Sequence, residues 1–217
     1  MNVLIFAAHP DDVEPQMGGT IAKYTNFGAK VFIVNLTSPT GNVYGAFKKK
    51  SKEEIKKIRE KEAINAAQSL GAKVIFLDVP QEEVYYSREI VKRFDKILKM
   101  IKPDIIFTSW PGDSHHEHRI VSEVSLSTAR ENKCSVYFYE PIIPSGLTQK
   151  QFCPTTYINI EKFIDLKIKS IKFYKSQLKK YPGWVETIKE RSKYHAFRFG
   201  LKHVERFQVV KQIKFLP

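Results

Sequence analysis

Cysteine is scarce: Cys134 and Cys153 are the two in 217 residues, and they have no CxxC spacing. That excludes a disulfide framework and makes a reducing, cytoplasmic compartment the expectation. Each cysteine reads as a small buried or half-buried residue rather than a nucleophile. Long apolar runs are missing too. The opening apolar stretch is cut by His9 and Pro10 and has no basic region before it, so it is not a signal peptide. No stretch approaches membrane-spanning length. Internal repeats, low-complexity tracts and linkers are absent, so residues 1–217 read as one domain, long enough to bury a core without staples. Nucleic-acid modules are absent in the same way: there is no finger spacing, RNP aromatic pattern or GXXG clamp.

What stands in excess is positive charge. Lys and Arg number 36 against 23 Asp and Glu, a net +13, in a chain whose 42% hydrophobic content is ordinary for a globular protein. Much of it is lysine interleaved with glutamate in helical segments, from Lys48 to Lys61 and from Lys162 to Lys180, which reads as solvated faces. The same balance favours an anionic small-molecule or glycoconjugate partner, and it points to no specific nucleic-acid site.

Residues 3–8 form a short apolar, β-branched run without alternation, the pattern of a strand covered on both faces. Further strands are expected over 30–36, 73–77, 104–108 and 135–139. Helices are expected over 19–27, ended by Gly28, over a stretch opened by a Ser51/Glu54 capping box and ended by Gly71, and over 87–101 and 119–131. Five alternations with short connections predict an α/β fold: a Rossmann-like three-layer α/β/α arrangement with a mostly parallel central sheet. Beyond it the pattern suggests a strand over 156–160 and an amphipathic helix over 161–179 with Phe163, Leu166, Ile171, Tyr174 and Leu178 inward. A helix over 184–199 follows, then a strand or folded-back segment over 203–210.

Polar chemistry concentrates after the first and fourth strands. His9, Asp11, Asp12 and Glu14 follow one; Asp113, His115, His116 and His118 follow the other, in SWPGDSHHEHR. In a doubly wound sheet two such strand ends can be neighbours at one rim. Three protein ligands and a water make a catalytic zinc site, and imidazole with carboxylate suits it, as it suits other divalent ions. Of the adjacent Asp11 and Asp12, one can bind metal while the other takes a proton from water; a non-ligating histidine, His115 or His116, can stabilise an oxyanion. Glu14 either supports a ligand from behind or sits at the positive end of the next helix, and Asp113 either holds His115 or caps a helix. Arg59 either meets substrate or pairs along its helix with Glu60 or Glu62. Trp110 and Tyr44 are candidate sugar-stacking aromatics, while His195 and His203 read as structural or exposed.

AHPDDVE followed by GGTIAK, and the later HHEHR, resemble the PIG-L/LmbE-like family of zinc-dependent N-deacetylases. The similarity continues through Arg59, Glu62, Ala66, Leu70 and Gly71 in an RxxExxxAxxxLG pattern, then KPDIIFT, VYFYEP and GLKHVERF, and so covers nearly the whole chain. The resemblance implies removal of an N-acetyl group from an amino-sugar (N-acetylglucosamine-type) conjugate. It implies His9, Asp12 and His118 as zinc ligands, Asp11 as general base, His115 as oxyanion stabiliser and acid, and Arg59 as a substrate contact. Family members often form homo-oligomers. The chain departs from the family pattern at TSPTG after the second strand, at His116 in HHEH, and at EPQMGG, which bear on substrate identity. Other readings are another metal-dependent amidase or phosphoester hydrolase, or a non-catalytic sugar-binding module on the same fold.

Overall fold

The computed structural model describes residues 1–40, 47, 50–141 and 150–213. Its strands are β1 (Asn2–Ala7), β2 (Lys30–Thr37), β3 (Lys73–Val79), β4 (Ile105–Thr108), β5 (Ser135–Tyr139), β6 (Thr156–Asn159) and β7 (Val204–Lys211). Its helices are α1 (Val13–Asn26), α2 (Lys52–Ser69), α3 (Arg88–Ile101), α4 (His116–Ala129), α5 (Ile164–Ile171), α6 (Lys175–Lys180) and α7 (Trp184–Phe197). All seven strands join one sheet in the order β3-β2-β1-β4-β5-β7-β6. The first five are parallel; β7 runs antiparallel to both β5 and β6. The chain is therefore the expected three-layer, mostly parallel α/β structure.

The unalternating β1 is explained by burial on both sides. Leu4, Phe6 and Ala8 join a cluster with Phe94 and Leu98 of α3 and Val121 and Val124 of α4. Val3, Ile5 and Ala7 pack the other way, with Met17 and Ile21 of α1 and Ala67 of α2. From β1 the chain crosses to β2 on one side, while β4 leads to β5 on the other. The β1/β4 pair is thus the switch point where open α/β sheets hold ligands.

Two elements differ from expectation in ways that matter for the site. α1 starts at Val13, six residues earlier than the sequence suggests, because Gly18-Gly19 lies inside the helix instead of leading into it. A β-carbon on Gly19 would stand 2.7 Å from Ile160 Cδ1, so glycine is there for close packing. The helix breaks at Met17 (φ −141°, ψ 22°). The Glu205 carboxylate of β7 accepts the Gly19 and Thr20 amides at 3.0 and 2.6 Å, and Lys167 of α5 donates to it at 2.6 Å. An almost fully buried ion pair thereby caps the second half of α1. The other difference is the helix expected over 161–179, which splits into a 3-10 turn (Glu161–Phe163), α5 and α6. The split leaves Leu166 39% exposed, against expectation, and buries Tyr174 with Ala63 and Ala66 of α2. The C-terminal stretch resolves as a strand, β7, inserted between β5 and β6.

Candidate metal centre

The loop after β1 and the start of α4 meet at the carboxyl edge of the β1/β4 pair. Asp12 Oδ1 lies 3.2 Å from His118 Nε2, His9 Nδ1 lies 3.3 Å from His118 Nε2, and His9 Nδ1 lies 3.5 Å from Asp12 Oδ2. Donors about 2.1 Å from one ion at tetrahedral angles stand about 3.4 Å apart, and one atom from each of the three residues lies within 4.8 Å of the others, a group that can close on a single zinc-sized cation. The outward nitrogens are also engaged. His118 Nδ1 is 2.9 Å from Asp113 Oδ2, and His9 Nε2 contacts Glu117 Oε2 directly. A neutral imidazole has one N–H; with both donated outward, two lone pairs and a carboxylate converge on one point. A cation bound between them stabilises that arrangement. Protons feel the same pull: burial opposes charging His9, yet Asp12 and then Glu117 raise it to about 9, and Asp12 with Asp113 raises His118 to about 10 against burial. Burial likewise disfavours the Asp12 carboxylate, but His118 and His9 hold it well below its ordinary range.

Glu117 is the site residue that the sequence reading passed over. α4 begins at His116 rather than near Arg119, so Glu117 and His118 occupy its first turn and both reach the rim. The available signal was chemical: a ligating histidine needs an acceptor for its other N–H, and Glu117 is the acid inside the histidine cluster. A second three-residue group, His9, His115 and Glu117, has donor atoms close enough for a metal. It would use the nitrogen of His9 that contacts Glu117, and its His115 is exposed where the first group is buried or half-buried. Glu117→Gln is expected to weaken metal affinity about 10- to 100-fold, read by competition against a zinc chelator.

Asp11 and Asp12 diverge as expected. Asp11 takes φ +89°, a costly conformation for a non-glycine residue, and it lies outside the three-donor group. Arg59 Nη2 meets Asp11 Oδ1 and the Pro10 carbonyl oxygen, each at 3.3 Å. Burial raises Asp11 to about 6 while Arg59 pulls it down, so the group is ionised at neutral pH and still basic enough to accept a proton. Arg59 is itself buried, so it contacts the acid behind the rim where the sequence suggested a substrate contact or a surface pair.

Of the neighbouring histidines, His115 faces the centre, with its ring 4.7 Å from that of His118 and 4.9 Å from that of His9. Its side chain is 44% exposed, at the mouth, and burial with the charges of His9 and His118 lowers its pKa. His116 is held away, its Nε2 2.8 Å from the Val84 carbonyl oxygen. Asp113 holds His115 by its backbone, Oδ1 accepting the His115 amide at 2.8 Å; it is not the cap of α4, whose N-cap is His115, and its Oδ2 meets His118 instead. Glu14 is buried beside Tyr174 and contacts none of the three donors; burial pushes it up to about 7, with the Tyr174 hydrogen bond pulling the other way. Trp110 is not a rim platform. It is 5% exposed and lies over Gly112, where a β-carbon would come within 2.3 Å of the indole. Tyr44 lies outside the described residues. His203 bonds Ser192 at 2.8 Å and His195 stands 3.6 Å from Glu140.

Sheet order, a switch point and a convergent His/Asp/His donor set define an α/β protein with a candidate divalent-metal centre. The family model described as GlcNAc-PI de-N-acetylase (PIG-L) matches residues 4–129, more than half of the chain, and the chain belongs to that family. It is 26% identical over 184 residues to the probable N-acetyl-alpha-D-glucosaminyl L-malate deacetylase 2 of Bacillus anthracis, spanning 81% of each. Among solved structures, N,N'-diacetylchitobiose deacetylase from Pyrococcus horikoshii superposes with a TM-score of 0.81 at 25% identity, over 97% of this chain and 84% of that one. The 4-carboxy-2-hydroxymuconate hydratase of Pseudomonas putida shares the fold with a TM-score of 0.85 at 19% identity, over 100% and 98% of the two chains. No helix among the described residues is long and apolar enough to cross a membrane.

Proposed function

We propose that this chain is a zinc-dependent N-deacetylase that hydrolyses the N-acetyl group of an amino-sugar conjugate. The observation that carries the reading is the pairing of three convergent donors with a separate, ionised carboxylate, Asp11, which lies outside the donor group and meets Arg59. His9, Asp12 and His118 would hold the ion. Bound there, a divalent ion supplies Lewis-acid polarisation of the acyl oxygen and lowers the pKa of water. Asp11 accepts the proton of the attacking water, and Arg59 fixes which way its carboxylate points. His115, partly open at the mouth, donates an N–H hydrogen bond to the developing oxyanion. The proton that Asp11 took from water is passed on to the departing amine, with His115 as the acid that delivers it. Glu117 and Asp113 fix the tautomers of the two histidine ligands. The amine leaves protonated, and acetate is released.

The relatives' names support an N-acetylated amino sugar as the substrate. The net +13 favours an anionic conjugate over a neutral one. The test is acetate release from a panel of neutral and acid-bearing N-acetylglucosaminides by metal-stripped and zinc-loaded protein. Release by the loaded form alone, faster on the anionic members and damped by salt, is expected. No acetate from any member, with hydration of an unsaturated dicarboxylate instead, would move the chain to the hydratase branch of the fold.

A further inference from the structure

We infer that the outer face of α7 is a docking surface for an anionic lipid bilayer. This stands independently of the reaction assigned to the metal centre. One face of α7 is committed inward: Ile188, Ser192 and Ala196 are buried, and Arg191 and His195 turn to Glu140 at 2.6 and 3.6 Å. The opposite face leaves Tyr194 78% and Phe197 84% exposed, with Phe199 47% exposed just beyond the helix end. Phe199 packs edge-on against Tyr157, ring centroids 4.7 Å apart, whereas Tyr194 and Phe197 open to water from the outer face, and exposed aromatic patches mark contact surfaces.

Cations surround the rings. Lys189, Lys193, Arg198 and Lys202 are all exposed; two acids stand among them, Glu190 at 3.7 Å from Lys193 and Glu161, which accepts the Lys202 amide at 2.6 Å, leaving the cations in excess. Tyr194, Phe197 and Leu201 form the apolar wall, and Lys189, Lys193 and Lys202 the rim, of a concavity of about 600 Å³.

Projecting aromatic rings ringed by lysine and arginine match the interface of an anionic membrane, where rings enter the headgroup layer and cations meet the lipid charge. A second copy of the chain packed on the same face would set these cations against their own equivalents. A nucleic acid would find cations too, but Phe197 projects from the helix as an insertion wedge does, not as a flat stacking platform. The location also fits. Phe207 of β7 pairs with Tyr139 of β5, so Leu201 to His203 lie past the carboxyl ends of the parallel strands, at the edge that holds the metal centre. β7 stands two strands from β4, about 10 Å. A surface docked there lies beside the mouth of the site.

The test is sedimentation of the full-length protein with vesicles of phosphatidylcholine alone or with about a third phosphatidylserine. Binding to the anionic vesicles at low salt, lost at high salt, is expected. Tyr194→Ala/Phe197→Ala is expected to cut partitioning about tenfold or more, and Lys189→Gln/Lys193→Gln about twentyfold. Both sets of positions are exposed, so circular dichroism and metal content serve as controls and stay unchanged. Equal partitioning on the two vesicle types, or indifference to both double variants, overturns the inference. So does a dimer that the Tyr194/Phe197 variant dissolves, or ring-dependent binding of single-stranded RNA without vesicle binding.

Discussion

Asp11→Asn lowers the rate of acetate release about 10²- to 10⁴-fold, the span expected on losing a general base, while the protein still binds its divalent ion. The asparagine keeps the side-chain shape and an oxygen for Arg59 at the 3.3 Å contact, so the loop geometry survives. It removes the one thing the account asks of residue 11, a basic oxygen. Residue 11 lies outside the His9/Asp12/His118 donor group, so metal content is expected to be undiminished. The loss falls on kcat with little change in KM. Undiminished turnover would show that the proton goes elsewhere, and joint loss of metal and activity would make Asp11 a ligand.

The largest effect on stability is expected at Glu205. Glu205→Ala strands the Lys167 ammonium and the Gly19 and Thr20 amides in the interior, a loss of about 3–5 kcal/mol by the measure of buried ion pairs broken on one side. The double variant Lys167→Met/Glu205→Gln recovers part of it, because the stranded charge goes with its partner. Urea unfolding of the three proteins reads both numbers. A drop below about 1 kcal/mol for Glu205→Ala would mean that water or a neighbouring group replaces the carboxylate. Because α1 begins directly after Asp12, the same variant is also expected to loosen the loop that carries the donors.

What was legible in the sequence was whatever depends on local pattern. The unalternating run of β1 announced burial on both faces, and the alternation of strands and helices announced a parallel sheet with a switch point. From there, two polar clusters after the first and fourth strands had to converge if the strands were neighbours, and they are. What was hidden depends on contacts between distant segments. Gly18-Gly19 looked like loop chemistry because nothing nearby shows that Ile160 presses on one glycine and Lys167 on the other. The break after α5 was invisible because Tyr174 fits a helical stripe equally well. It leaves that stripe to fill the space beside Ala63 and Ala66. Trp110 resembled a sugar platform until Gly112 gave its ring a place to lie. Glu117 was passed over because its role belongs to His9, 108 residues away.

The central claim is that His9, Asp12 and His118 hold one catalytic divalent ion. Its most direct test is zinc titration into metal-stripped protein, by calorimetry, with His118→Ala in parallel and acetate release followed at each addition. The account predicts one equivalent bound, activity rising in step to a plateau at that equivalent, and neither event in the variant. Full activity in the stripped protein, or equal zinc binding by His118→Ala, would contradict it.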